Sequence, residues 1–391
     1  MSAETNCDSA AADAANNQTL AHMDGTSDTM TLARLDTEHQ SLCEAEYFYG
    51  EEADLHRHYD CCVKNPGHKN FIPVEKFRLE DLPEDYRDND VVDYIRAVSD
   101  LTVHVTVQYV SDKRPASEAG NGRPYPGYNG RQRTTVGTGC VHEVTISSIN
   151  QPRDCQCKEC RNSCTPSQNF ACFSIRTAAH VVFDDSEAEH TTCLLFFDRG
   201  NTPQTCSSVV TLTGMTHVAS FVKDDTCVMY HYTHDLELAQ RIDKTLKHMQ
   251  RLREAIRNKM PQICAFKHDL DFTDRQPLLF IVSHPHGCSK QVSLGRWKMA
   301  QMFYNKISAF IYSTATCPGS SGAFVCMLQE RTELHSCIAL SPLHRVHLGV
   351  STVTREFNSC NSYEYSQEPH LASMEMLQLN KGVFMFYSIG W

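Results

Sequence analysis

The sequence predicts a mostly β protein made of two β modules joined by a helical connection. Three observations carry this. Short β-branched runs with turn signals between them recur from residue 101 onward, which suggests an all-β sandwich or barrel. One long helical repeat interrupts them. The first hundred residues have a different, acidic texture.

The chain has 391 residues, enough for two or three domains, and 41% of them are hydrophobic. Its net charge of −11 is uneven: residues 1–100 hold 22 Asp/Glu against 8 Lys/Arg, and the remainder is nearly balanced. An acidic balance argues against a nucleic-acid partner, because phosphate neutralisation needs a basic surface. Residues 1–31 contain no aromatic residue, Val or Ile, so they read as a disordered acidic tail. Residues 32–98 read as a partly helical acidic extension. In it "DNDVVDYIRAVSD" puts Val91, Val92, Ile95 and Val98 on one helical face.

From Leu101 the β texture begins with "LTVHVTVQYV", an alternating run. After a Gly/Pro-rich loop come "TVGTGCVHEVTI", "FACFSIRTAAHVV", "TCLLFFD", "SSVVTLTGM", "VASFV" and "CVMYHYTHDLELA", all strand-like. The inserted helix spans about 240–259, with Ile242, Leu246, Met249, Leu252 and Ile256 at helical spacing and Pro261 beyond its end. Its seven basic residues suit a solvated face. Strands resume with "QPLLFIVSHPHG", "KQVSLGRW", "ISAFIYSTAT", "GAFVCML" and "VHLGVSTV".

Three short motifs carry chemistry. "CPGSSGA" presents Ser321 between glycines; the N–H groups of Gly319 and Ser321 are then placed to form an oxyanion hole, with Ser320 as a spacer in the turn. "TAAH" puts His180 at a strand end behind two small residues. "HDLELA" offers Asp235 as the carboxylate that would orient the imidazole. Each motif alone also fits an ordinary turn, a core histidine or a loop acid.

Together, in the order His, Asp, Ser with gaps of 55 and 86 residues, these motifs resemble the chymotrypsin/trypsin-like serine peptidases, HtrA-type members included. "TVGTGCV" and "IVSHPHGCSKQVSLG" extend the resemblance over about residues 134–352. It implies two six-stranded antiparallel β-barrels, with a peptidase domain over 99–355 and a C-terminal extension over 356–391. It also implies a serine endopeptidase acting on protein or peptide through an acyl-enzyme, with no required cofactor. Ala315 and Thr316 would border the substrate pocket, with His347 on a pocket wall. The same fold without activity, used as a protein-binding module, is the alternative. Ser320 stands where zymogen-activated relatives carry an Asp, and Val181 where secreted relatives commonly carry a cysteine. With no signal peptide visible, both departures suit an intracellular, cytoplasmic protein. An α/β-hydrolase fits poorly, since Ala323 replaces its second glycine and a strand follows instead of a helix.

The 19 cysteines raise a second question. "CQCKECRNSC" brings Cys155, Cys157, Cys160 and Cys164 within ten residues, a possible structural zinc loop or a set of reduced thiols. "LHRHYDCC", with His56, His58, Cys61 and Cys62, is a weaker metal signal. No run is long and apolar enough to suggest a membrane span.

Overall fold

A computed structural model describes residues 45–49, 59–114, 133–148, 153–200, 202–221, 225–259, 277–303, 306–328 and 358–361. The expected acidic tail, the "VHLGVSTV" strand, His56, His58 and His347 lie outside them.

The first β module begins at β3 (Thr102–Val107), whose alternation buries Val103, Val105 and Val107. It pairs with β4 (Arg133–Ile146) and β6 (Thr191–Leu195). The other elements of this sheet are β5 (Ala171–Thr177), β7 (Val210–Leu212), β8 (Thr216–Phe221) and β9 (Thr226–Thr233), in the order β7-β6-β3-β4-β5-β9-β8. β1 (Glu46–Tyr49), from the N-terminal extension, adds an eighth strand on β4.

The second sheet has six strands in the order β13-β10-β11-β12-β14: β10 (Leu278–Ser283), β11 (Gln291–Phe303), β12 (Lys306–Tyr312), β13 (Val325–Met327) and β14 (Asn358–Asn361). β2 (Phe71–Pro73), again from the extension, pairs with β11. The sheets are thus eight- and six-stranded where six and six were expected. Among the described residues neither strand order closes on itself. The acidic extension is not a separate appendage: it supplies a strand to each sheet.

Two helices cover the sheets. α1 (Asn89–Leu101) starts at Asp88, whose carboxylate accepts from Asp90 N–H, and buries Val91, Val92, Ile95 and Val98. Short helices α2 (Lys158–Arg161) and α3 (Asp185–Glu189) lie in loops. α4 (Leu236–Lys259) is longer than its sequence signal and packs on α1, β4 and β5 through Leu238, Ile242, Leu246, Met249, Leu252 and Ile256. One core runs from these residues through Ile175 to Phe280 of β10, where Tyr94 meets Phe280 edge-on at 5.4 Å. Each such aliphatic side chain contributes about 1.5–3 kcal/mol on burial. No helix of the described residues is long and apolar enough to cross a membrane.

Candidate active site

β5 delivers His180. The strand ends at Thr177, and the chain makes one helical turn in which Val181 and Val182 N–H groups both donate to the Ala178 carbonyl. The side chain of His180 is completely buried.

Its partner is Asp225, not Asp235. The Asp225 carboxylate accepts from His180 twice, at Nδ1 (2.6 Å) and at the backbone N–H (2.9 Å), while its carbonyl accepts from Ala179 N–H. The ladder explains the meeting: Thr177 pairs with Cys227, so the residues just beyond β5 face those just before β9. Asp225 holds φ +48, unusual for a non-glycine residue, and its contacts to Ala179 and His180 hold it there. The Nδ1–H···carboxylate contact fixes the tautomer and leaves Nε2 with a lone pair. That Nε2 is buried and has no hydrogen-bond partner in the structure.

Asp235 lies at the other end of β9. Eight strand residues separate the two ends, roughly 25 Å of chain. Asp235 is exposed and accepts from Leu238 N–H, so it caps α4. The "HDLELA" alternation that suggested a strand is the first turn of this helix.

A residue that the motifs did not single out supports the histidine turn. Arg114 forks onto Glu187 and donates to the His180 carbonyl at 3.1 Å. Both side chains are buried, so the guanidinium and carboxylate neutralise each other where neither could stand alone.

Ser321 comes from the loop between β12 and β13. The Thr138 N–H donates to the Ser321 carbonyl at 2.8 Å, and the Thr138 hydroxyl to that of Gly319 at 2.8 Å. Gly319 and Gly322 hold φ +92 and +93. A Cβ on Gly322 would overlap the Thr138 carbonyl oxygen, so glycine is required there. A Cβ on Gly137 would sit 2.8 Å from the Val181 side chain and 3.0 Å from the Ser321 carbonyl. That missing side chain is what lets the serine loop approach the histidine turn. Ser320 faces away into the turn, with its hydroxyl 3.1 Å from that of Ser283 and accepting from Cys317 N–H.

Ala315 and Thr316, expected to border the pocket, are buried, as is Thr314 before them. The extension lies against them: Asn65 Nδ2 donates to the Thr316 carbonyl at 2.8 Å and Lys64 Nζ to its hydroxyl at 3.2 Å. Burial pushes the Lys64 ammonium down to about 8.

Two Cys/His clusters flank this core. In the first, Cys155, Cys157 and Cys160 converge with His234, whose Nε2 is 3.3, 4.0 and 3.5 Å from the three sulfurs in turn. Cys164 is exposed and outside the cluster. The fourth member of this cluster, His234, comes from just beyond the end of β9 and immediately precedes Asp235. In the second cluster, Cys62, His68, His286 and Cys317 are all buried. Cys62 lies far below the ordinary thiol range and Cys317 far above it, each chiefly through the hydrogen bond between them. The described cysteines form no disulfide.

No protein-family model matches the chain, and no curated protein matches it. Among solved structures it is similar to the HtrA-type protease AlgW with a decapeptide, at 11% identity and a TM-score of 0.33 over 68% of this chain. The match spans 62% of the AlgW chain, less than two thirds of it. It is also similar to the Rv3671c protease of M. tuberculosis in an inactive form (13% identity, TM-score 0.33, 73% of this chain and 95% of that one). A third is Deg5 (12% identity, TM-score 0.31, 63% and 82%).

Proposed function

We propose that the protein is a serine endopeptidase with Ser321 as nucleophile, His180 as general base and Asp225 as the orienting acid. The two sheets would be the halves of a chymotrypsin-like pair of barrels. The observation that carries the reading is the buried His180–Asp225 contact, with Nε2 left as a base, beside a glycine-flanked serine loop. Ser321 Oγ adds to the scissile carbonyl of a protein or peptide as its proton passes to His180 Nε2. Asp225 stabilises the resulting imidazolium. The N–H groups of Gly319 and Ser321 receive the oxyanion, where one donor is worth about 10²–10³ in rate. The proton on Nε2 then goes to the leaving amine. Water, activated by the same histidine, hydrolyses the acyl-enzyme and restores the serine.

Cys155, Cys157, Cys160 and His234 would hold a structural zinc that ties the cysteine loop to the end of β9. With ligands at about 2.3 Å (sulfur) and 2.0–2.1 Å (nitrogen), a tetrahedral ion sets sulfur and nitrogen about 3.6 Å apart. The observed separations bracket that figure.

A second reading is a peptidase fold used only for binding. It draws on the full burial of Ser321 and on the partnerless Nε2 of His180. Labelling with a fluorophosphonate separates the two. An adduct on the wild type that disappears in Ser321→Ala supports the enzyme. No adduct, or one that survives the substitution, leaves the binding module.

A further inference from the structure

We infer that Cys62, His68, His286 and Cys317 form a second zinc site, one that staples the N-terminal extension to the serine loop. The inference stands on the arrangement of side chains and does not depend on peptidase activity.

Four ligand atoms from three separate stretches of chain lie within 4.8 Å of one another. Cys62 and His68 come from the extension, His286 from the turn after β10, and Cys317 from the first position of "CPGSSGA". Cys62 Sγ is 3.5 Å from Cys317 Sγ, and Cys317 Sγ is 3.5 Å from His68 Nε2. Tetrahedral zinc with ordinary bond lengths separates two sulfurs by about 3.8 Å and sulfur from nitrogen by about 3.6 Å. The site therefore needs little movement to receive an ion.

The surroundings match what a metal requires of its neighbours. His286 Nδ1 meets the Glu46 carboxylate at 2.6 Å, which orients the ring and leaves its buried Nε2 among the other ligand atoms of the cluster. A carboxylate behind a histidine is the usual support for a zinc ligand. His68 is stacked on Tyr59 with ring centroids 3.8 Å apart. Both sulfurs receive N–H donors from one residue: Asn65 backbone N–H to Cys62 at 3.3 Å, and Asn65 Nδ2 to Cys317 at 3.1 Å. His68 and His286 also hold φ +46 and +53. Four non-glycine residues have positive φ among the described residues, and two of them are these histidines. Strain of this kind persists where surrounding contacts over-determine the backbone.

Charge favours the same assignment. Around Zn²⁺, two thiolates and two neutral imidazoles give a site of zero net charge. A neutral site tolerates full burial. The first cluster, with three thiolates, would be singly negative, and it is the more exposed of the two. The ion would fix Cys317 directly. It would fix Pro318 through His286, whose backbone N–H donates to the Pro318 carbonyl at 2.6 Å.

The test uses the full chain purified from cells grown with zinc. Metal analysis is expected to find two zinc ions per chain, falling to one in Cys62→Ser and to one in Cys155→Ser. Zinc X-ray absorption of the unaltered protein reads the same question without any variant. Two sites average about 2.5 sulfur and 1.5 nitrogen ligands per ion, and the first site alone gives about three and one. A single zinc that Cys62→Ser does not remove, no zinc at all, or a Cys62–Cys317 disulfide in the purified protein would overturn the proposal.

Discussion

Replacing Asp225 with Asn keeps the size of the side chain and removes its charge. In the structure both carboxylate oxygens accept from His180, one from the ring and one from the backbone N–H. An amide offers only one acceptor. If its oxygen keeps the backbone contact, its NH2 group faces Nδ1. The ring must then carry its proton on Nε2, the atom that under the proposed mechanism accepts from Ser321. Loss of the correct tautomer and of the buried negative charge costs about 10⁴ in kcat, or about 5 kcal/mol of transition-state stabilisation. Asp235→Ala removes only a helix cap, worth about 1 kcal/mol of stability. The assay is the rate of fluorophosphonate labelling, read with the denaturation midpoint of each variant. The expected pattern is a collapse in rate for Asp225→Asn with a near-wild-type midpoint, and the reverse for Asp235→Ala. Full reactivity in Asp225→Asn, or equal loss in both variants, would refute the assignment of Asp225.

Two further predictions concern stability. Gly322→Ala combines a left-handed backbone with a collision against the Thr138 carbonyl oxygen; it is expected to cost about 2–5 kcal/mol, a shift that urea denaturation resolves easily. Burial pushes His104 down to about 4, and His284 is lowered in the same way, with the charges of His104 and Lys290 adding to burial. Unfolded histidine titrates near 6.5, so between pH 6.5 and 4 the unfolded chain binds more protons. The stability these neutral rings contribute is fully present above pH 6.5 and is lost as pH falls toward 4, by about 3 kcal/mol for His104 alone. Denaturation midpoints measured across that window are expected to fall with pH, and less steeply in His104→Gln; an unchanged slope in that variant would count against the linkage.

Much of the architecture was legible because it rests on local periodicity. The alternation of β3, the apolar run of β10 and the heptad-like spacing of α4 each state their own structure. The parts that were not legible depend on pairing between distant segments. Asp225 sits in "KDDT", which carries no sign of the strand register that sets it beside His180. Asp235 stood next to a histidine and an alternating pair of leucines, a pattern shared by a strand and by a capped first helical turn. The Asp cap with Glu237 in that turn was the available clue to the helix. β1 and β2 are too short to signal strands on their own. The second Cys/His cluster joins residues as far apart as Cys62 and Cys317, so no local spacing could reveal it.

The side of β4 away from β3 is shared by three segments. β1 pairs with it over Arg133–Val136, β5 over Cys140–Ile146, and the serine loop takes the gap between them at Thr138. These contacts bring together positions near 46, 138, 176 and 321, which are far apart along the chain. Contacts of such long range form slowly, after loop closure has been overcome. During synthesis the histidine and its acid are made well before Ser321, and the loop has nowhere to dock until both sheets exist. The nascent chain therefore holds the histidine and its acid without the serine loop until folding is nearly complete, a delay set by topology alone.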